Sequence, residues 1–527
     1  MRDSSRRDNI IQFALALILL APLLAAFWSG GGFEDAFGTR KSAEVSAARQ
    51  WALLRAAGQS LTLGCLSAGV AALIGIPAAW ALSGRRASAV RTALAILPLA
   101  LPAPVAVSGW VRLIAPNATS SFALQLPGAP PGMASAAHAL LFSPVGAALV
   151  LGLSLWPVVA LNVWPAFLRA RDVAYEAARL HASPARAFFR GALPRCTGEI
   201  VAGVALVFLL ASNDFAVSSL LLVHTLPVEV HDQAALGKNA AAAWASLPLV
   251  LLAAALCAVT MRRSTHSGRH THTHSMRSSG LRAGKMSSGI LYAGVAFGFA
   301  VPMLACLYGV LASGKPLSVS FDAGAESLGL SARLAAAAVL VACGFAVVRL
   351  LTWPEVRAAP LNVASVFLLA IPGSFLGVSL LVLQIEATNL TPELRLPLVW
   401  MALGFALRFL NVPIRLIDEA LAGIDPALLE SAALLGHGRF SRATTVVLPL
   451  SLGHLAAAAA LVFALALGEV PIAAILAPPG AVPATIWLFG QQHMGYDESV
   501  FALSLLLGAT TAGTIALGAL MAKRAAR

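Results

Sequence analysis

Long hydrophobic stretches alternate with short polar segments along most of the chain, and the stretches are long enough to cross a membrane. A hydrocarbon core about 30 Å thick requires roughly 20 apolar residues in a helix. Membrane β-strands are shorter and alternate residue by residue, which does not describe these runs. The sequence therefore predicts an all-α integral membrane protein with twelve transmembrane helices. The predicted spans are 10–28, 60–82, 92–113, 144–167, 197–222, 241–261, 290–312, 329–351, 361–384, 397–418, 450–477 and 500–521.

Composition agrees with this interpretation and excludes an ordinary soluble protein. Of 527 residues, 59% are hydrophobic and 11% are charged, and the mean hydropathy is +0.82. The net charge of +13 does not indicate nucleic-acid binding, because the basic residues cluster at the ends of spans on one predicted side. Such a bias orients helices during insertion and predicts that both termini are cytoplasmic. The clusters are Arg6/Arg7, Arg85/Arg86, Arg262/Arg263 and Lys523/Arg524.

Internal similarity divides the chain into two related halves of six spans each. Leu206-Val207-Phe208 matches Leu461-Val462-Phe463 at an offset of 255, and the same offset places Asp214 on Glu469. We predict a first half at 1–261, a Ser/Arg/His-rich cytoplasmic linker at 262–289 and a second half at 290–527. A duplication in the same orientation predicts two six-helix bundles around a pseudo-twofold axis, with a pathway between them.

Prolines within the predicted spans break regular helical hydrogen bonding and are tolerated where neighbouring groups compensate. Two of them match between the halves, since Leu101-Pro102 corresponds to Ile371-Pro372. The intramembrane prolines are Pro77, Pro98, Pro102, Pro104, Pro157, Pro372 and Pro413.

Each half carries the same short pattern in the polar segment after its fourth span. The first copy contains Glu176, Ala177 and Ala178 and ends at Leu193-Pro194. The second copy contains Glu430, Ser431, Ala432 and Gly436 and ends at Leu448-Pro449. Alanine forms helices with little bulk, so a partner protein can approach closely. A solvated helical connector is the alternative for a single copy, but two copies at matching positions favour a docking loop.

Local residues predict how each loop turns. Gly436 can end the short helix of the second copy in a left-handed turn. The first copy has no glycine there and is one residue shorter; we expect Ser183 to cap a following helix that begins at Pro184.

These loops resemble the EAA loop of binding-protein-dependent ABC importer permeases, and the chain looks most like their fused double permeases for ferric iron or thiamine. The resemblance implies a type I ABC importer permease with a MetI-like fold in each half, in the bacterial cytoplasmic (inner) membrane. It also implies that two cytoplasmic ATP-binding subunits hold the loops, and that a periplasmic or extracellular solute-binding protein delivers the cargo. The residues it assigns to ATPase coupling are Glu176, Ala177, Ala178, Pro194, Glu430, Ala432, Gly436 and Pro449, with each glutamate orienting its helix through hydrogen bonds.

Ionisable residues within spans are costly and usually face a cavity or a partner. Asp214 and Glu469 occupy matching positions, and with Asn213 they either line the translocation path or hold helices together. Arg408 lies within span ten and either neutralises a carboxylate or contacts cargo. We predict no metal site, and we interpret the linker histidines as part of a flexible segment; they are His266, His270, His272 and His274.

The sequence predicts a transport subunit that is not itself an enzyme and binds no cofactor. A phosphate-binding loop requires Gly-x4-Gly-Lys followed by Ser or Thr, and the nearest match, Gly309, Gly314 and Lys315, continues with Pro316. ATP and Mg²⁺ are therefore expected in the partner ATPase homodimer, with lipid and the solute-binding protein as the other partners and no nucleic acid. Ferric iron is the favoured cargo. Thiamine, polyamine or phosphonate import, or a secondary transporter driven by an ion gradient, are the alternatives.

Overall fold

The computed structural model describes most of the chain, and every helix discussed below lies in that part. The described residues are 14–24, 27, 43–84, 89–114, 133–170, 175, 179–267, 285–312, 317–352, 359–495 and 498–525. Within these ranges the secondary structure is helical and no residue lies in a β-strand. This agrees with the predicted all-α class.

The helices are numbered in chain order. Those of the N-terminal half are α1 (Ala14–Leu24), α2 (Ala43–Leu82), α3 (Ala89–Ala100), α4 (Ala103–Ile114), α5 (Met133–Leu141), α6 (Pro144–Ala170), α7 (Pro184–Ser212), α8 (Ala216–Leu220), α9 (Leu226–Ala235) and α10 (Asn239–Ser267). Those of the C-terminal half are α11 (Lys285–Ala312), α12 (Leu317–Thr352), α13 (Ala359–Ala370), α14 (Gly373–Leu390), α15 (Pro397–Phe409), α16 (Asn411–Gly423), α17 (Pro426–Leu434), α18 (Arg439–Leu467), α19 (Pro471–Leu476), α20 (Ala484–Met494) and α21 (Glu498–Ala525).

Many of these helices have the length and composition of membrane spans. In the described part of the chain, nine helices are long and apolar enough to cross a membrane, and eleven crossings result if each of two bent pairs counts as one. The chain is therefore a multi-pass α-helical membrane protein. The predicted span 10–28 is described only at Ala14–Leu24 and Phe27, so the count of twelve stays a prediction.

Five predicted spans are broken rather than continuous, which corrects the simple twelve-rod picture. Two of them are interrupted near their ends, span 197–222 between α7 and α8 and span 450–477 between α18 and α19, and the other three break closer to their middle. Span 92–113 consists of α3 and α4, which meet at 83° at Leu101-Pro102. Span 361–384 is interrupted at the matching Ile371-Pro372, between α13 and α14. Proline lacks an N–H donor and its ring displaces the preceding turn, so both helices end there. Span 397–418 bends by 43° between α15 and α16, shortly before Pro413.

In contrast, the prolines of the two Leu-Pro pairs lie inside continuous helices. A π-helical turn precedes each, at Phe188–Ala192 in α7 and Ala443–Val447 in α18. The N–H groups of Leu193 and Leu448 bond to carbonyls five residues back. The wider π turn makes room for a ring that would crowd a normal turn. As a result α7 and α18 begin well before the predicted spans 197–222 and 450–477, and they run without a break from the polar loops into the bundle.

The two halves share one core instead of packing as separate bodies. One cluster joins Leu209 and Ala243 of the N-terminal half to Phe375 and Phe405 of the C-terminal half. A second surrounds α4 and α6 with residues of α20 and α21. Movement of one half must therefore repack contacts with the other. The backbone is helical up to Ser267. Most of the predicted linker, residues 268–284 with His270, His272 and His274, lies outside the described residues.

Candidate functional site: a charged central cavity and two polar loops

A cavity of about 1030 Å³ lies between the two halves, and it is larger than most small-molecule sites need. Residues of α3, α6 and α7 line it on one side, and residues of α15, α16, α18 and α21 line it on the other. Its walls are mostly apolar. At one end it reaches Glu419 and Lys523, which lie near the polar loops, and at the other it reaches Asp214, Arg408 and Glu469.

Asp214 and Glu469 occupy the same position in two copies of one local structure. Asp214 follows α7, and its Oδ2 accepts hydrogen bonds from the N–H groups of Val217 (2.8 Å) and Ser218 (3.1 Å) in α8. Glu469 follows α18, and its Oε1 accepts one from the N–H of Ile472 (3.4 Å) in α19. Helix N-termini carry free N–H groups and a partial positive charge, which stabilise a carboxylate there. Each acid thus lines the cavity and also caps a short helix.

Arg408 and Asn213 converge on the break between α13 and α14. The Nε of Arg408 lies 3.2 Å from Oε2 of Glu469, and its Nη1 donates to the carbonyl of Ile371 at 3.2 Å. The amide of Asn213 donates to the neighbouring carbonyl of Ala370. Arg408 therefore has a carboxylate partner. Asn213 is buried, is not among the residues that line the cavity, and joins two helices through its bond to Ala370, which is one of its two predicted roles.

An apolar plug closes the end of the cavity beyond the acids. It is formed by Phe215, Val470, Ile486 and Phe489, so both halves contribute. The rings of Phe215 and Phe489 have centroids 5.3 Å apart. The two helices behind the plug, α9 and α20, are each anchored at their first residue by a serine hydroxyl. The N–H of Leu226 donates to Oγ of Ser60, and the N–H of Ala484 donates to Oγ of Ser331.

The second docking loop, residues 424–438, has the predicted turn. Asp425 caps α17 by accepting the N–H of Ala427 at 2.9 Å. Gly436 has a φ of +85°, and the N–H groups of Gly436 and His437 bond to the carbonyls of Ala433 and Ala432. This is a Schellman motif, and it confirms the left-handed turn.

The hydrogen bonds predicted for Glu430 are not seen among the described residues, and the role assigned to it stays a prediction. Its side chain is exposed, and within the described part of the chain no group bonds to its carboxylate. The structure therefore leaves this carboxylate facing outward, while Ala432 is the buried residue of the pattern.

The first docking loop, residues 171–183, is described only in part. Glu176, Ala177 and Ala178 lie outside the described residues, so their assignment stays a prediction. Ser183 caps the following helix by accepting the N–H of Arg186, and Pro184 occupies the first turn, as the sequence indicated. Leu180 is 82% exposed, and its counterpart in the second copy, Leu434, is 90% exposed. Both loops thus expose a leucine at the same position of the repeated pattern.

Each docking loop is joined to the bundle by its own cluster. In the first half the ring of Trp80 packs against those of Phe167 (5.2 Å), Tyr175 (5.3 Å) and Phe188 (4.9 Å). Such edge-on aromatic contacts fix the relative position of three segments.

The equivalent joint of the second half is aliphatic and carries an ion pair. Ile424 and Leu429 pack around Ile417 and Val447. Next to this cluster Arg349, which is almost fully buried, pairs with Asp418, and the amide of Asn362 donates to the same carboxylate at 2.7 Å. Sequence reasoning missed this network, although Arg349 and Asp418 fall within predicted spans 329–351 and 397–418, which was a usable signal.

Comparison with known proteins does not identify the chain: no protein-family model matches it, and no curated protein matches it either. The resemblance to importer permeases accordingly rests on the sequence motifs named above.

Proposed function

We propose that this chain is the membrane-spanning permease subunit of an ATP-driven importer. One observation carries the proposal: in each half a single helix connects an exposed loop to an acid of the central cavity. Helix α7 leads from the first docking loop to Asp214, and α18 leads from the second to Glu469. A displacement imposed on the loops would reach the cavity through continuous helices, which is what alternating access requires.

Several features support a partner protein at the loops. Leu180 and Leu434 are exposed at matching positions, and Glu430 is exposed with no described residue bonded to its carboxylate. The Schellman turn at Gly436 gives the second loop a defined shape that a groove can recognise. The proposed partner is a cytoplasmic ABC ATPase homodimer, which brings ATP and Mg²⁺. This chain supplies the path and no catalytic residue.

The wider assignment follows the same proposal. Each half would be a six-helix unit of the type I, MetI-like kind, in a bacterial inner membrane with both termini cytoplasmic. A solute-binding protein would dock on the opposite side. Ferric iron is the cargo that the resemblance favours, followed by thiamine, polyamine or phosphonate. Among the described residues no three His, Cys, Asp or Glu side chains lie together as a potential metal site. A chelated or organic cargo is compatible with the mostly apolar wall of the cavity.

Site-directed crosslinking tests the proposal. Leu434→Cys and Leu180→Cys variants, expressed in the native host with an affinity tag, should crosslink to a subunit that carries a phosphate-binding loop and hydrolyses ATP. Leu390→Cys is the matched control, because Leu390 is 85% exposed but lies at the far end of α14. Uptake that persists with a hydrolysis-dead ATPase but collapses with the proton gradient would instead identify a secondary transporter.

A further inference from the structure

The two proline breaks at the centre of the molecule match in backbone structure but differ in what covers them. Helices α3 and α13 end at Ala100 and Ala370, and each is followed by an apolar residue and a proline. The N–H groups of Ala106 and Leu376 bond to the carbonyls of Pro102 and Pro372 at 3.1 Å in both cases. The carbonyls just before the prolines lose their helical partners in both halves.

In the C-terminal half, side-chain donors satisfy these carbonyls. Asn213 donates to the carbonyl of Ala370 and Arg408 donates to that of Ile371. Neither residue of this break belongs to the cavity wall. The break is therefore sealed by an amide and a guanidinium, both of which are N–H donors.

In the N-terminal half, the equivalent donors are missing from the sequence. The residue that matches Asn213 is Gly468, and the span equivalent to that of Arg408, Pro144–Ala170, has no arginine before Arg169. No described residue donates a hydrogen bond to the carbonyl of Ala100 or Leu101. Both of these residues line the cavity, as do Pro102 and Ala103.

Asp214 and Glu469 flank the N-terminal break, and Glu469 is paired with Arg408, so Asp214 is the carboxylate that a ligand would meet. Ala103 packs against Phe215 and Ala216, next to Asp214. A methyl group placed on Gly468 would lie 3.3 Å from Cα of Pro102, so the chain just before Glu469 touches the break. Asp214 bonds to its helix through Oδ2, and no described residue donates to its Oδ1. The carboxyl end of α3 adds a partial negative charge.

We propose that the carbonyls of Ala100 and Leu101, together with Asp214, form the cavity subsite for a protonated nitrogen group of the transported molecule. The class of ligand is a small organic cation with N–H donors, an alkylammonium or a guanidinium. It would occupy the position that Asn213 and Arg408 occupy at the sister break, with its apolar part against the wall of the cavity. This inference rests on the proposed transport function, but its test needs only the purified chain.

Calorimetric titration of the full chain in lipid nanodiscs tests the subsite, with agmatine as the cationic probe and 1,4-butanediol as the neutral one. We expect saturable binding of agmatine and none of butanediol. Gly468→Asn supplies the missing amide beside Pro102. The φ of −90° at Gly468 is accessible to asparagine, and its Cβ would contact Cα of Pro102 at 3.3 Å, so Pro102 must shift by a few tenths of an ångström. This variant should weaken agmatine binding by about tenfold or more. Gly490→Asn is the matched control, since Gly490 is exposed, has open space around it and should bind as wild type.

Asp214→Asn provides a second, independent variant. Its amide oxygen still accepts the N–H groups of Val217 and Ser218, so the helix cap survives while the charge is lost, and agmatine binding should fall by about tenfold. The proposal is overturned if agmatine does not bind, if both variants bind it as wild type does, or if ferric citrate binds and agmatine does not. Any of these results leaves the crosslinking test of ATPase docking unaffected, so the two proposals fail separately.

Discussion

Substitution of Gly436 by valine is the most direct test of how the second docking loop works. At a φ of +85° a β-branched residue is strained, whereas a Cβ built there meets no atom within 4 Å. The penalty is therefore purely one of backbone conformation, about 2 kcal/mol. This corresponds to a roughly 30-fold loss in the population of the native turn. The two hydrogen bonds of the Schellman motif, to Ala432 and Ala433, would open with it.

Gly438→Val is the matched control for that variant. Gly438 lies two residues further on, has equally open surroundings and an ordinary φ of −66°, so valine fits it without strain. Relative to wild type, we expect hydrogen–deuterium exchange of the amides at positions 436 and 437 to accelerate about 30-fold in Gly436→Val and to stay unchanged in Gly438→Val.

Function should follow the same pattern. Recovery of ATPase activity with the tagged chain should fall in Gly436→Val, while membrane insertion and yield stay normal. Equal exchange in the two valine variants would refute the assignment of the turn. Altered exchange with normal transport and ATPase stimulation would show that the turn does not transmit force.

Three further predictions concern the Arg349–Asp418 pair, the apolar plug and the His224–Glu229 pair. Arg349→Met should destabilise the chain by about 3 kcal/mol, because it leaves the partly buried Asp418 without its cation. In thermal unfolding, the double variant Arg349→Met/Asp418→Leu should recover part of this loss. No recovery would contradict the pairing. In an Asp214→Cys background, Phe215→Ala should make the new cysteine reactive to a membrane-impermeant maleimide added from the side of α9. Equal labelling with and without Phe215→Ala would show that the apolar cluster does not close the cavity. The hydrogen bond between His224 and Glu229 raises the pKa of His224 above its ordinary 6.5 and lowers the pKa of Glu229 below its ordinary 4.5. The stability that this pair adds to the folded state is therefore fully present between about pH 4.5 and 6.5. Protection of α9 from exchange should decline as the pH rises above 6.5 through the raised pKa of His224, by less than about 1 kcal/mol since His224 is half exposed, and Glu229→Gln should remove this dependence.

The sequence predicted the features that depend on neighbouring residues. Hydrophobic runs of helical length are sufficient to predict a multi-pass helical protein, because burial in lipid requires them. Gly436 predicted its left-handed turn and Ser183 predicted its helix cap, since both depend on only four or five consecutive residues. The match between Asp214 and Glu469 was also visible, because duplicated segments keep their spacing.

What the sequence did not reveal depends on contacts between distant segments. The sequence placed Pro372 within a predicted span and Pro449 just before one. In the structure α13 ends before Pro372, whereas α18 continues through Pro449 after a π turn. Nothing in the local sequence indicates that Asn213 seals a carbonyl 157 residues away, or that Arg408 bonds to both Glu469 and Ile371.

Hydropathy alone determined that this chain lies in a membrane as a bundle of helices, and local turn chemistry determined the shape of its second docking loop. Tertiary structure decided which polar groups meet at the centre, because a buried donor or acceptor is stabilised only by the group that reaches it, and that group comes from the other half. The asymmetry between the sealed break at Ile371 and the cavity-lining break at Leu101 thus arose from two positions, Gly468 and Arg408, whose meaning appears only once the halves are packed together.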